Sequence, residues 1–128
     1  MPSLPKNIQY LIEARYNQSF VHAYGLDTGE DLVPITVGDD SNSNVVVWLR
    51  NIDRLLSLSG HSPEGSNFLD LGAGAGIAML YAAVRHPFVS VNGIEIQPEL
   101  VRVAEGNFSR LATVPPPRPA RLESYKWM

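Results

Sequence analysis

Hydrophobic residues recur at helical spacing near the start of the chain. Over residues 7–24 apolar side chains fall three or four positions apart, which predicts an amphipathic helix. Gly25 follows directly, and glycine is the residue most often found just past the end of a helix. Residues 25–44 are rich in turn formers, with one short apolar piece, and predict a long surface loop.

A second amphipathic pattern begins near residue 45. Ser43 or Asn44 can supply the side chain that caps this helix, and Gly60 marks its end. One face of the helix is apolar and comprises Val45, Trp48, Leu49, Ile52, Leu55 and Leu56. We therefore expect residues 1–60 to form an N-terminal helical segment with one long loop.

The pattern of hydrophobic residues changes after residue 60. Residues 68–71 and 89–96 are short apolar runs of the kind found in buried strands. Helical patterns follow both runs, over 75–85 and over 98–111, and the second begins with a proline, which fits the first turn of a helix. Strands and helices in this order predict an α/β fold with a parallel sheet, so we expect residues 61–128 to form a partial α/β domain.

The first predicted strand runs into a turn with three alternating glycines. Gly72, Gly74 and Gly76 separate the strand from the helix, and Asp70 stands just before them. In open α/β sheets, ligands bind at the carboxyl ends of the strands, where these residues and Glu95 of the second strand all fall. The turn is therefore the candidate ligand site.

The charge and spacing of this turn distinguish two classes of ligand. A dinucleotide needs Gly-x-Gly-x-x-Gly to bring its pyrophosphate to the helix N-terminus, and the third glycine is replaced here by Ile77. The Asp70 carboxylate would also repel a pyrophosphate. S-adenosylmethionine carries an ammonium and a sulfonium and no phosphate, so an acid at this place attracts it. Glu95 can accept both hydrogen bonds from its ribose diol.

Four short pieces of the chain resemble a known family. "FLDLGAGAG" resembles the glycine-rich first motif of class I S-adenosylmethionine-dependent methyltransferases, and "VNGIEIQPELVRVAEGN" resembles their second motif. The upstream pieces "YNQSF" and "YGLDT" are similar to the DOT1-like branch and to related bacterial methyltransferases. The resemblance, clearest over residues 67–110, implies the N-terminal portion of a Rossmann-like parallel-sheet methyltransferase fold, preceded by helices.

The resemblance also implies a role for each residue of the turn. Asp70 would meet the amino group of the methionine moiety, Glu95 would hold the ribose hydroxyls, and Ile96 would pack on the adenine. The residues lining the cofactor would be Gly72, Ala73, Gly74 and Gly76. The resemblance also implies that the upstream loop, with Asp27 and Thr28, closes over the methionine end, but ordinary turn chemistry is the favoured interpretation of these two residues.

The sequence lacks part of the pattern of this family. Such methyltransferases have a seven-stranded sheet, and the motif that positions the methyl acceptor follows the fourth strand. "RLESYKWM" is a candidate third strand, and no catalytic residue or acceptor can be named. We expect a missing C-terminal part, or a partner chain, to complete the sheet. The alternative function is a non-catalytic cofactor-binding or interaction module.

Composition narrows the remaining classes of function. The chain has no cysteine, which excludes disulfides and cysteine nucleophiles, and its three scattered histidines predict no metal site. Net charge is −3, with −6 over residues 1–109 and +3 over residues 110–128, which argues against a broad nucleic-acid-binding surface. No apolar run is long enough to span a bilayer or to form a signal peptide, so we expect a soluble cytoplasmic protein.

Overall fold

The fold is mixed α/β, as the sequence predicts, in a computed structural model that describes residues 5–32, 35–36, 44–45 and 47–112. The elements are α1 (Lys6–Tyr24), β1 (Ile35–Thr36), β2 (Asn44–Val45), α2 (Leu49–Ser59), β3 (Asn67–Leu71), α3 (Ile77–Arg85), β4 (Ser90–Ile94) and α4 (Pro98–Ala112). β1 pairs with β2, and β3 with β4, each in parallel. The candidate third strand, "RLESYKWM", lies outside the described residues. Within those ranges, no helix is both long and apolar enough to cross a membrane.

Glycines end both N-terminal helices, which confirms the predicted ends. Gly25 follows α1 with a φ of 61°, and Gly60 follows α2 with a φ of 71°. This left-handed conformation is open to glycine without the steric penalty that other residues meet. The N–H of Leu26 donates to the carbonyl of Val21 at 2.9 Å and closes the last turn of α1. Both helix ends are therefore set by a local property of one residue.

The start of α2 differs from the prediction. Asn44 and Val45 lie in β2, Ser43 is outside the described residues, and the helix begins at Leu49. The side chain of Asn17, on α1, accepts the N–H of Leu49 at 3.0 Å and donates to the carbonyl of Val47 at 2.7 Å. A residue of another helix thus satisfies the first N–H of α2, so the expected cap from Ser43 or Asn44 is not needed.

A buried carboxylate on α1 holds this helix against α2. Glu13 accepts hydrogen bonds from Arg50 at 2.8 Å and from Arg54 at 2.7 Å. The hydrogen bond from Arg50 is the main reason that the pKa of Glu13 is lowered, and it outweighs the opposing effect of burial. Two arginines on successive turns of α2 therefore fix the position of that helix on α1.

Helix α3 is the central element of the packing and contacts α2, α4, β3 and β4. Its fully inaccessible side chains are Met79, Leu80 and Ala82. One hydrophobic cluster joins α3 to the N-terminal helices through Phe20, Leu49 and Ile52. A second cluster joins it to the sheet through Phe88 and Val91. Because α3 begins where the glycine turn ends, this packing also places the candidate site.

The two faces of the β3–β4 sheet differ in burial. The parallel register pairs Phe68 with Val91, and both pack in the cluster beneath α3. On the opposite face, the side chains of Leu69 and Leu71 are 57% and 72% exposed. Within the described part of the chain, neither β3 nor β4 pairs with a third strand. Leucines so exposed are apolar surface of the kind that a further layer or a partner commonly buries.

Gly93 of β4 lies against the side chain of Met79 on α3, and its replacement tests this packing. A Cβ atom there would overlap the buried sulfur of Met79 and lie 2.7 Å from the Cβ of Ala73. We expect Gly93→Ala to lower the free energy of unfolding by about 1–3 kcal/mol, because overpacking forces its neighbours to move. Chemical denaturation followed by circular dichroism measures the change.

Gly106→Ala is the matched control for this substitution. Gly106 lies inside α4, and a Cβ atom there meets no heavy atom within 4 Å. The same chemical change should therefore raise the free energy of unfolding by about 0.5–1 kcal/mol through helix propensity alone. Equal or greater stability of Gly93→Ala relative to the wild type would show that β4 and α3 are not so close.

Candidate functional site

The glycine turn grows directly out of the pairing of β3 with β4. Ile94, the last residue of β4, accepts the N–H groups of Gly72 at 2.8 Å and of Ala73 at 2.9 Å. Gly72, Gly74 and Gly76 then take φ values of 80°, 56° and 80°. Other residues rarely adopt a positive φ, so a side chain at any of the three would be strained. The backbone path therefore explains why glycine recurs at alternate positions.

Glu95 follows β4, and its side chain fastens the turn to the end of that strand. The residue is only 5% exposed. Its Oε1 accepts the N–H of Gly74 at 2.8 Å, and its Oε2 accepts the N–H of Gln97 at 2.9 Å. Each carboxylate oxygen has a second lone pair, so the two backbone hydrogen bonds do not exhaust its capacity to accept. The expected ribose contact and this structural role use the same two atoms.

Asp70 lies at the carboxyl end of β3, half-buried and paired in register with Gly93. Burial, and secondarily the negative charge of Glu95, raise the pKa of its carboxyl group. In the portion of the chain that the structure describes, no donor or cation lies beside this carboxylate to offset either effect. The two acids make the turn an electronegative region that favours a cationic ligand.

The predicted adenine contact lies at the rim of the same turn. Ile96 directly follows the buried Glu95 and is 81% exposed, so it offers apolar surface to a ligand. The side chain of Ala73, unlike that of Ile96, is buried, and it points toward Gly93. Any contact that Ala73 makes with a ligand must therefore come from its backbone.

The loop that carries Asp27 and Thr28 lies beside the glycine turn, and Asn107 of α4 connects the two. The Nδ2 of Asn107 donates to the carbonyls of Asp27 at 2.7 Å and of Ala75 at 2.9 Å. Its Oδ1 accepts the N–H of Asp27 at 2.7 Å. The carboxylate of Asp27 accepts the N–H of Gly29 at 2.8 Å, which is the turn chemistry considered for it above.

Asn107 was not assigned to the site from the sequence, although a signal for it exists. The buried residues of α4 are Leu100, Ala104, Asn107 and Leu111, which share one helical face. Asn107 is the polar member of this otherwise apolar set, and a polar side chain at such a position must find hydrogen-bond partners inside the fold. Its place on the face therefore predicts a connecting role, but not which groups it connects.

The structure brings together Asp70, the three glycines and Glu95, with Ile96 at the rim and the Asp27 loop alongside. In residues 5–32 and 47–112, no group of three or more His, Cys, Asp or Glu side chains is arranged to hold a metal ion. No protein-family model matches the chain, and no match is found among curated proteins. Function is therefore inferred from the chemistry of the turn.

The raised pKa of Asp70 has a consequence for stability. The folded protein binds this proton more tightly than the unfolded chain does, so the carboxyl group destabilises the fold increasingly as pH rises from the ordinary carboxyl range through the raised pKa. We expect Asp70→Asn, without ligand, to be more stable than the wild type at neutral pH. The difference should shrink toward acid pH, where both states of the wild type are protonated.

Chemical denaturation at a series of pH values measures this difference. Glu105→Gln, which removes an exposed acid from α4, controls for the loss of one negative charge. A wild type that matches or exceeds the stability of Asp70→Asn at neutral pH would contradict the unfavourable placement of the charge.

Proposed function

We propose that this chain is the cofactor-binding part of an S-adenosylmethionine-dependent methyltransferase with a Rossmann-like sheet. One observation carries the proposal. The carboxylate of Asp70 lies at the end of β3, and that of Glu95 comes directly after the adjacent parallel strand β4. Both lie beside a turn of three glycines with positive φ. The methyl acceptor and the catalytic residues are left open by this proposal.

The charge of the site supports a cofactor with positive groups and no phosphate. An ammonium group beside Asp70 would offset both the desolvation of its carboxylate and the repulsion from Glu95. A pyrophosphate would instead add negative charge to a region that already carries two acids. Repulsion between unit charges near a protein surface is about 4 kcal/mol at 4 Å, which is enough to decide between the two ligand classes.

The arrangement of Glu95 and Ile96 supports a nucleoside at the end of β4. After accepting two backbone N–H groups, each oxygen of Glu95 keeps one lone pair, and a pair of neighbouring hydroxyls can use both. Ile96 then offers the adjacent apolar surface for an aromatic base. The ribose and adenine would lie over β4, and the methionine part would lie toward β3.

The contribution of the protein to methyl transfer would be orientation. When bound, S-adenosylmethionine supplies a methyl group that its sulfonium already activates toward displacement by an acceptor atom. Asp70 would hold the amino end of the methionine moiety, and Glu95 would hold the ribose. Two fixed points on either side of the sulfonium define the direction of the methyl group, and such alignment accounts for much of the rate in reactions of this kind.

Binding measurements with three ligands test the proposal. We expect S-adenosylmethionine and its demethylated product to bind, and NAD not to bind. Losing a hydrogen bond to a charged group costs about 1.5–3 kcal/mol, so Asp70→Asn should weaken the binding of S-adenosylmethionine about tenfold or more. Glu95→Gln should have a similar effect, and its amide oxygen can keep one of the two backbone hydrogen bonds. Isothermal titration calorimetry measures all of these affinities.

Glu105→Gln is again the control and should bind S-adenosylmethionine as the wild type does, since Glu105 is an exposed residue of α4. Tighter binding of NAD than of S-adenosylmethionine would defeat the proposal. Wild-type affinity in both Asp70→Asn and Glu95→Gln would defeat it as well, because the two acids would then have no part in the site.

A non-catalytic module completed by a partner is the second candidate. The exposed leucines of β3, on a sheet with only two strands among the described residues, favour it. Transfer of a labelled methyl group from S-adenosylmethionine to any acceptor in a cell extract would favour the enzyme. Binding of the cofactor without such transfer would favour the module.

A further inference from the structure

We propose that Asn107 is a positioning residue of the cofactor site, which sets the place of the Asp27 loop (residues 25–31) relative to the glycine turn. The inference rests on the proposed function and goes beyond it. It assigns control of cofactor affinity to a buried side chain of α4 that lies between the loop and the turn.

The hydrogen-bonding capacity of the Asn107 amide is fully used. An asparagine side chain has two N–H donors and two acceptor lone pairs. Both donors are taken, by the carbonyls of Asp27 and Ala75, and both lone pairs are taken, by the N–H of Asp27 and by Arg110 at 3.3 Å. The side chain is also fully inaccessible to solvent. Its position and orientation are therefore fixed by the protein.

The contact with Asp27 fixes the loop as well as attaching it. Asn107 accepts from the N–H and donates to the carbonyl of the same residue, so two peptide groups of the loop are held in one orientation. The hydrogen bond within the loop, from Gly29 to the Asp27 carboxylate, shapes the loop but does not attach it to α4. Leu26, buried in the hydrophobic core, separately attaches the beginning of the loop.

The contact with Ala75 reaches the middle of the glycine turn. Ala75 stands between Gly74, whose N–H donates to Glu95, and Gly76, which precedes α3. The turn is thus held from one side by a residue that follows β4 and from the other by a residue of α4. A ligand that lies between the turn and the Asp27 loop would meet two walls that the amide of Asn107 joins directly.

The apolar alternatives at this position show what the amide contributes. Leu100, Ala104 and Leu111 fill the rest of the same face of α4 by packing alone. A hydrophobic residue in place of Asn107 could fill space in the same way, but it would leave the N–H and carbonyl of Asp27 and the carbonyl of Ala75 without this partner. Unpaired polar groups in the interior are costly, so the loop would move away to reach water.

Asn107→Asp tests the inference with almost no change in shape. The aspartate keeps an acceptor for the N–H of Asp27 but turns both donors into a charge that faces two carbonyls. We expect the affinity for S-adenosylmethionine to fall about tenfold or more in calorimetry, since a buried partner is lost on both walls. We also expect faster hydrogen–deuterium exchange at residues 26–32 of the unliganded variant.

Phe88→Leu is the matched control for loss of stability. Phe88 is buried before the start of β4, in a hydrophobic cluster that contains neither Leu26 nor a residue of the turn, so its truncation destabilises the protein through a cavity away from both walls. At a temperature where circular dichroism shows both variants folded, Phe88→Leu should keep the wild-type affinity and the wild-type exchange at residues 26–32. An equal loss of affinity in both variants would reduce Asn107 to a merely structural residue and overturn the inference.

The wild type supplies an independent measurement if Asn107→Asp does not fold. The demethylated cofactor should slow exchange at residues 26–32 and at residues 72–77 together, because both walls contact it. Two outcomes would overturn the inference and leave the proposed function intact. One is slower exchange in the turn alone, and the other is wild-type affinity in a folded Asn107→Asp. A wild type that binds no cofactor would defeat the proposed function and this inference with it.

Discussion

The carbonyl oxygen of Ile94 accepts the N–H groups of both Gly72 and Ala73, and the site depends on this pair of hydrogen bonds. They continue the β3–β4 ladder past the end of β3 and bend the chain over the end of β4. Only glycine follows such a path without strain, hence the positive φ values of the turn. The same bend brings Gly74 within reach of Glu95, so one carbonyl group links sheet, turn and acid.

The two acids of the candidate site, Glu95 and Asp70, have different surroundings. Glu95 is buried, and both of its oxygens accept backbone hydrogen bonds, so its charge is used by the fold itself. Asp70 is half-buried, and its pKa is raised by desolvation and by repulsion from Glu95, which no described residue offsets. An acid kept where it disfavours the unliganded fold is typical of a functional site, and the proposed cationic cofactor would offset this cost.

Polar side chains also link the elements that the hydrophobic clusters pack together. Asn17 of α1 satisfies the beginning of α2, Glu13 of α1 pairs with two arginines of α2, and Asn107 of α4 joins the Asp27 loop to the glycine turn. In each case a group left unsatisfied by its own element finds a partner on another one. The N-terminal helices thereby become part of the support of the site, through α3 and through the loop that follows α1.

The sequence by itself determined α1, α3, α4, the parallel strands β3 and β4, and the turn with its two acids. Periodicity and positive-φ glycines act over a few neighbouring residues, so a local pattern contains them. Only the tertiary structure decided where α2 begins, since Asn17 and Leu49 meet across 32 positions of the chain. Likewise Asn107 meets Asp27 across 80 positions, and no local pattern records which distant backbone groups a buried amide will satisfy.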